Sequence, residues 1–293
     1  MRRALVAALV AGATLLTASA CSLPPGTDGD LVNQWSALAE PTGWEPKAGT
    51  CHKSFNEQSY RANYTPVDCT ADHTYETVYI GQFTGDAARA GLPEAKGAVA
   101  KAALAECAGK VNEFIGGEAK DGRIWFGIST PSKGTWEGGA RWFRCEVAAR
   151  EDFWGQPISW KKSLKGEFAA ASDLKYGCYQ IPEADDEDWT PLACGDAHNA
   201  EFAGNFQLDV AYDDITADKE GLHKSCRSTI ASYVGVPDDN NLKYRTGTYV
   251  SFPRRADWDA GYHLIRCHIY LSKKQVSKSL KGVGTGGLPI NYA

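Results

Sequence analysis

No Cys-x-x-Cys pair occurs in the 293 residues, so neither a zinc ribbon nor a thioredoxin-like redox motif is supported. His-Glu-x-x-His is absent, and with it the helical pair of zinc ligands of a metalloprotease. Gly-x-Ser-x-Gly is absent too, which removes the serine nucleophile elbow. Basic charge is in short supply. The 31 Lys and Arg face 36 Asp and Glu, a formal net charge of −5 and the wrong sign for a nucleic-acid-binding surface. What is left is 43% hydrophobic and 23% charged, the balance of a globular protein, and long enough for one large domain or two ordinary ones.

The first twenty residues read as a removable leader: Met1-Arg2-Arg3 is a basic start, and the stretch to Ala20 is apolar and rich in small residues. It is too weakly apolar to favour a membrane span. Its end, Ala18-Ser19-Ala20-Cys21, resembles a bacterial lipobox, although Ala18 stands where leucine is commoner. The resemblance implies cleavage before Cys21 and attachment of lipid, palmitate included, to that cysteine. The alternatives are an ordinary secreted chain cut near Ala20 and a twin-arginine signal, for which only Arg2-Arg3 speaks. Residues 21–42 then form the lipidated N-terminus and tether; Ser22–Asp30, with Pro, Gly and Asp, suits a flexible segment. The expected location is extracytoplasmic, at the cell membrane, and the membrane is the first expected partner.

Setting Cys21 aside leaves eight cysteines, Cys51, Cys69, Cys107, Cys145, Cys178, Cys194, Cys226 and Cys267. An even number in an exported chain implies disulfides. They fall into two sets of four, spaced 18, 38, 38 and 16, 32, 41, which suggests duplication. The flanks agree. Ser129, Pro131, Trp136, Gly139, Arg144 and Cys145 return 122 positions later as Ser251, Pro253, Trp258, Gly261, Arg266 and Cys267. Cys-x3-His-x2-Glu occurs at Cys69, His73, Glu76 and again at Cys194, His198, Glu201, and Lys-Ser-Leu-Lys-Gly closes each unit at Lys162–Gly166 and Lys278–Gly282. The reading is two tandem homologous modules, 43–168 and 171–285.

Each module reads as a short strand bearing the first cysteine, a loop to the second, a strand after the His–Glu segment, a helix and two more strands. The first helix is expected to begin near Pro93 and to end at Gly116-Gly117. Ala103, Cys107, Val111 and Ile115 recur every four residues, as do Leu222, Cys226, Ile230 and Val234, and so mark one buried face. A helix packed on a small antiparallel sheet makes the class α+β. Four cysteines allow three connectivities per module. Chain order and burial favour Cys107–Cys145 and Cys226–Cys267, leaving Cys51–Cys69 and Cys178–Cys194.

The pattern from Gly49-Thr50-Cys51 through "VDCTADHTYETVYIGQF" to Arg144-Cys145 and "KSLKG" resembles the actinobacterial septum-formation domain family, twice over. Within that match the Gly-x-Phe after the glutamate, Gly81/Phe83 and Gly204/Phe206, lies two residues closer in the second copy. The resemblance implies extracytoplasmic modules linked to cell division or envelope growth, and it implies no reaction.

His73, Glu76, His198 and Glu201 carry four readings. A metal site needs three or four converging ligands and each segment offers two. An oriented general base needs a companion nucleophile, and none recurs nearby. A structural role would have the histidine and glutamate hydrogen-bond backbone near the disulfide. A recognition role would expose them to a partner. Trp136 and Trp258 are read as loop anchors or recognition residues, and Arg144 and Arg266 as partners for Glu76 and Glu201. The acidic stretch Pro182–Trp189 reads as a solvated loop or a loose Ca²⁺ site, and the aromatic stretch Glu151–Lys162 as packing between modules or a partner surface. The function expected is binding: a non-enzymatic accessory protein of the envelope with a protein partner, no nucleic acid and no cofactor. The alternatives are a cell-wall-active or metal-dependent enzyme at the His-x-x-Glu segments and a sensor or secreted-ligand carrier, which would need a sizeable apolar pocket.

Overall fold

Among the described residues the alternating runs become ten strands in two five-stranded sheets. The computed structural model describes residues 43–152, 155–182 and 189–290; the leader, Cys21, the tether and the acids of 183–188 lie outside them. The first module holds β1 (Thr50–His52), β2 (Gln58–Ser59), β3 (Tyr75–Gln82), β4 (Ile124–Pro131) and β5 (Trp142–Ala149), in the order β1-β3-β5-β4-β2. The second holds β6 (Cys178–Gln180), β7 (Thr190–Leu192), β8 (Ala200–Gln207), β9 (Gly247–Ser251) and β10 (Leu264–Tyr270), in the order β7-β6-β8-β10-β9. Apart from the added edge strands β2 and β7 the order is the same. Among the described strands only β2 runs parallel to its neighbour.

The likeness extends to register. In the first module Glu76 pairs with Val147, Thr77 with Glu146, Tyr79 with Cys145 and Gly81 with Phe143, and Val78 is skipped as a bulge. In the second, Glu201 pairs with Ile269, Phe202 with His268, Gly204 with Cys267 and Phe206 with Ile265, and Ala203 is skipped. Gly204 therefore takes the place of Tyr79, and Phe206 that of Gly81. The two-residue shortening inferred from the Gly-x-Phe strings does not exist. Pairing to the central strand sets register, and the glycine has moved within it to the bulge, where Gly204 adopts φ 144°.

One long helix crosses each sheet, Ala98–Ile115 in the first module and Lys219–Val234 in the second. The residues repeating every four positions are all buried. Each helix ends on a left-handed glycine, Gly116 (φ 76°) and Gly235 (φ 79°), a conformation that penalises a Cβ. The first helix starts five residues later than Pro93 suggests. Glu94–Gly97 close a turn, with the Gly97 amide on the Glu94 carbonyl at 2.9 Å, and extended Gly97 is the N-cap.

Cys107 bonds Cys145 and Cys226 bonds Cys267, stapling the long helices to β5 and β10; Cys51–Cys69 and Cys178–Cys194 tie each first strand to the following loop. Both modules belong to one compact unit, Gly43–Ala293. The chain passes from one core to the other between Leu174 and Tyr176. There the Arg123 amide donates to the Leu174 carbonyl at 2.7 Å and the Tyr176 amide to the Asp121 carbonyl at 2.9 Å. Asn205 Nδ2 reaches Asp121 Oδ1 at 2.8 Å. In the aromatic stretch Glu151–Lys162, the described Ile158 and Trp160 lie against one core rather than between the modules. Ile158 and Trp160 pack on the first module's core because the Ile158 amide pairs with Ala149 and Trp160 pairs with His73; Phe153 and Trp154 are outside the described residues.

Replacing both Cys107 and Cys145 by alanine is expected to lower the unfolding free energy by about 4 kcal/mol in the loop-entropy account, against about 3 kcal/mol for Cys178 and Cys194, whose loop is shorter. Chemical denaturation of the two variants measures the order.

Candidate functional site

The His–Glu segment sits where the loop after the second cysteine enters β3 or β8. His73 lies just ahead of β3 and pairs through its backbone with Trp160; His198 pairs likewise with Val276. Their rings are pinned in the same way. Nδ1 of His73 is 2.8 Å from the Ala71 carbonyl and Nδ1 of His198 is 2.8 Å from the Asp196 carbonyl. A carbonyl only accepts, so Nδ1 carries the proton.

The glutamates turn inward. Glu76 accepts from the Ser163 hydroxyl at 2.7 Å and the Leu164 amide at 3.0 Å. Glu201 accepts from the Ser279 hydroxyl at 2.5 Å and the Leu280 amide at 2.7 Å. Ser-Leu is the centre of Lys-Ser-Leu-Lys-Gly, so the two repeated motifs are halves of one clasp. Its glycine completes the link: the Gly166 amide donates to the Phe114 carbonyl and the Gly282 amide to the Tyr233 carbonyl, each at 2.9 Å. Those carbonyls belong to the last turn of the long helices, which has no partners within the helix. In the second module Tyr233 replaces Phe114, and its hydroxyl adds a third bond to Glu201 at 2.6 Å. Burial and then Glu201 raise the Tyr233 pKa.

Relative exposure is 2% for His73, 4% for Glu76, 0% for His198 and 1% for Glu201. These side chains offer no surface to a partner, and each pair is enclosed in its own module rather than facing a shared cleft. His198 Nε2 lies 3.9 Å from Glu201, too far for a hydrogen bond. Among the described residues, the clusters with metal-ligand proximity are Cys51, Cys69, Glu76 and Cys178, Cys194, Glu201. Their cysteines are spent in disulfides, so neither offers a thiolate. Trp136 and Trp258 are also inside, and their indoles donate to the carbonyls of Ala90 at 3.2 Å and Val210 at 2.9 Å.

The arginines correct another expectation. Arg144 does not pair with Glu76 but with Glu146, on its own strand and face. Its Nε is 2.5 Å from Glu146 Oε1, an ionic contact because the N–H is not aimed along it. Glu76 is already taken by the clasp. Burial pushes the Glu146 pKa up to about 7, against the pull of Arg144 and of the Thr77 hydroxyl at 2.8 Å. Arg266 does not reach Glu201 either. The register puts His268 where Glu146 stands, and burial, then Arg266, hold the His268 pKa down to about 3. Arg266 keeps Nε and Nη1 buried with no acceptor, its guanidinium 5.5 Å from the Tyr176 ring.

Arg266 lines a cleft of about 680 Å³ between the modules, walled by the first long helix and by residues 253–264 of the second module. A hollow of about 340 Å³ shares Leu104, Trp125, Asp257 and Tyr262 with it. Sequence reading named Arg266 but missed Arg150, which lines the same cleft and has no repeat partner to draw attention to it.

These features define an α+β protein of two five-stranded sheets closed by four disulfides among the described residues. The chain belongs to the septum-formation family: the family model described as "Septum formation" matches residues 48–267, one span running through both sheets. That membership links the chain to septum formation at the level of a family, and the description names a process rather than a reaction. No curated protein and no solved structure matches the chain.

Removing the clasp carboxylate leaves a buried amide and a hydroxyl without an acceptor. Glu76→Ala is expected to cost about 2–4 kcal/mol of stability, and Glu201→Ala more because Tyr233 loses its acceptor too, read by denaturant titration. His268 gives a pH signature. Its pKa is depressed on folding, so the unfolded chain gains a proton first as pH falls below about 6.5. Between there and pH 3 the wild type is expected to lose up to about 1.4 kcal/mol per pH unit relative to His268→Phe, measured by unfolding across that range.

Proposed function

We propose that the protein is a lipid-anchored, extracytoplasmic binding or accessory protein of the cell envelope that acts in septum formation. The observation that carries this reading is the enclosure of both His–Glu pairs within their own modules. The repeated motif is used up in holding strand, turn and helix together, so recognition falls to the surfaces between the modules. Four disulfides suit a chain that folds in an oxidising compartment. The shared strand order, register and bulge support an origin by duplication. Fusing two stable modules creates a composite cleft that neither has alone. The competing reading, a hydrolase or metal enzyme at His-x-x-Glu, requires a substrate to reach groups that are closed off.

Two measurements test it. Labelling cells with a palmitate analogue is expected to mark the wild type and not Cys21→Ser, which is released from the membrane fraction. Depletion is expected to displace or delay septa in time-lapse microscopy. An unlabelled wild type, or Cys21→Ser still membrane-bound, removes the anchor from the proposal; septa unchanged on depletion remove the division role.

A further inference from the structure

The two modules differ at one buried position in a way that leaves an arginine without an acid beside it. In the first, Arg144 has Glu146 beside it. In the second, the equivalent Arg266 has His268, held neutral by its surroundings. A guanidinium is always charged, carries five N–H donors and cannot accept a hydrogen bond. Arg266 is 7% exposed, and its Nε and Nη1 meet no acceptor. Leaving such a group unpaired inside a protein is costly.

A second cation compounds the imbalance. Arg150 lines the same cleft, and its Nε is also buried without an acceptor. Burial lowers the Arg150 pKa and Arg266 pushes in the same direction, while Asp257 opposes them. The other carboxylates of the cleft are engaged: Glu118 accepts from Asn112 at 2.9 Å with Lys120 at 3.9 Å, and Asp209 is 3.0 Å from His263. Asp257 is set against Arg150, with Lys101 adding further positive charge on the helix wall. Beside them lie Phe126 and Tyr262, rings 5.1 Å apart, with Tyr262 donating to the Phe126 carbonyl. The cleft thus joins a cationic floor to an aromatic wall, and each module contributes to both.

We propose that this cleft binds a ligand bearing an oxyanion, a carboxylate or a phosphate, which Arg266 and Arg150 hold while its apolar remainder lies along Phe126 and Tyr262. Planar guanidinium forks match these oxygen geometries. The volume suits a small molecule or the end of a longer chain. The inference rests on the reading of the protein as a binding module, but it fails separately: anchoring by Cys21 and anion binding are independent readouts.

The test uses the exported chain with its disulfides intact. Inorganic phosphate and acetate are titrated at constant ionic strength against sodium chloride, following tryptophan fluorescence and thermal unfolding. Phosphate or acetate is expected to bind and to raise the unfolding temperature beyond chloride, and whichever does so identifies the oxyanion. Arg150→Gln and Arg266→Gln are each expected to weaken binding by roughly tenfold or more, and Asp257→Asn to strengthen it. Without ligand, Arg266→Gln is expected to be at least as stable as the wild type, since it removes an unpaired buried charge; a purely structural arginine would show the reverse. Should Arg266→Gln not fold, a structural role is indicated for that residue, and half-buried Arg150 with Asp257 decides the site. Anions acting no more strongly than chloride, or binding unchanged in both Arg150→Gln and Asp257→Asn, overturn the proposal.

Discussion

A buried carboxylate closing a turn holds each module together. Glu76 and Glu201 leave their strands and accept the amide of the leucine in Lys-Ser-Leu-Lys-Gly, while the glycine of that turn satisfies the end of the long helix. Three elements far apart in sequence meet there: the strand after the second cysteine, the closing turn and the helix that crosses the sheet. The leucines, Leu164 and Leu280, are buried by the same geometry and extend each core over the helix end. The cost of dehydrating the glutamate is offset by charge-assisted bonds from groups that would otherwise be orphaned. That is why a polar motif can recur at the centre of two cores.

The repeated parts of the fold were legible because repetition doubles every signal. Helix faces, cysteine order and the strands around Cys145 and Cys267 each appear twice, and the structure agrees with them. What failed was local identity taken as register. The Gly-x-Phe strings suggested a shortened strand, whereas pairing with Cys145 and Cys267 aligns Tyr79 with Gly204. Pro93 suggested an early helix start because a proline suits a first turn as well as the residue before one. Arg144 departs from expectation for a different reason: side chains two apart on one strand share a face, which sets Glu146 beside it. The clasp itself had both halves visible in the sequence, but nothing there says which motifs touch.

Where the copies differ is more informative about function than where they agree. Tyr233 for Phe114 strengthens the second clasp, and the change needs only one hydroxyl. His268 for Glu146 does the opposite, since it removes a counter-charge and keeps the arginine. A buried cation without its acid is a liability for an isolated module. It becomes useful at a junction, where the neighbouring module brings Arg150 and an open cleft.

The junction also explains why the modules form one unit. The Asp121 carbonyl and carboxylate bond the second module's Tyr176 amide and Asn205, and the chain runs directly from Leu174 in one core to Tyr176 in the other. Such short, backbone-anchored contacts fix orientation more tightly than a flexible linker would. Arg150 and Arg266, on different modules, are therefore held close against their mutual repulsion by bonds that do not involve either of them. Preorganised like charges of this kind favour an oppositely charged ligand, because the work of bringing them together was done in folding.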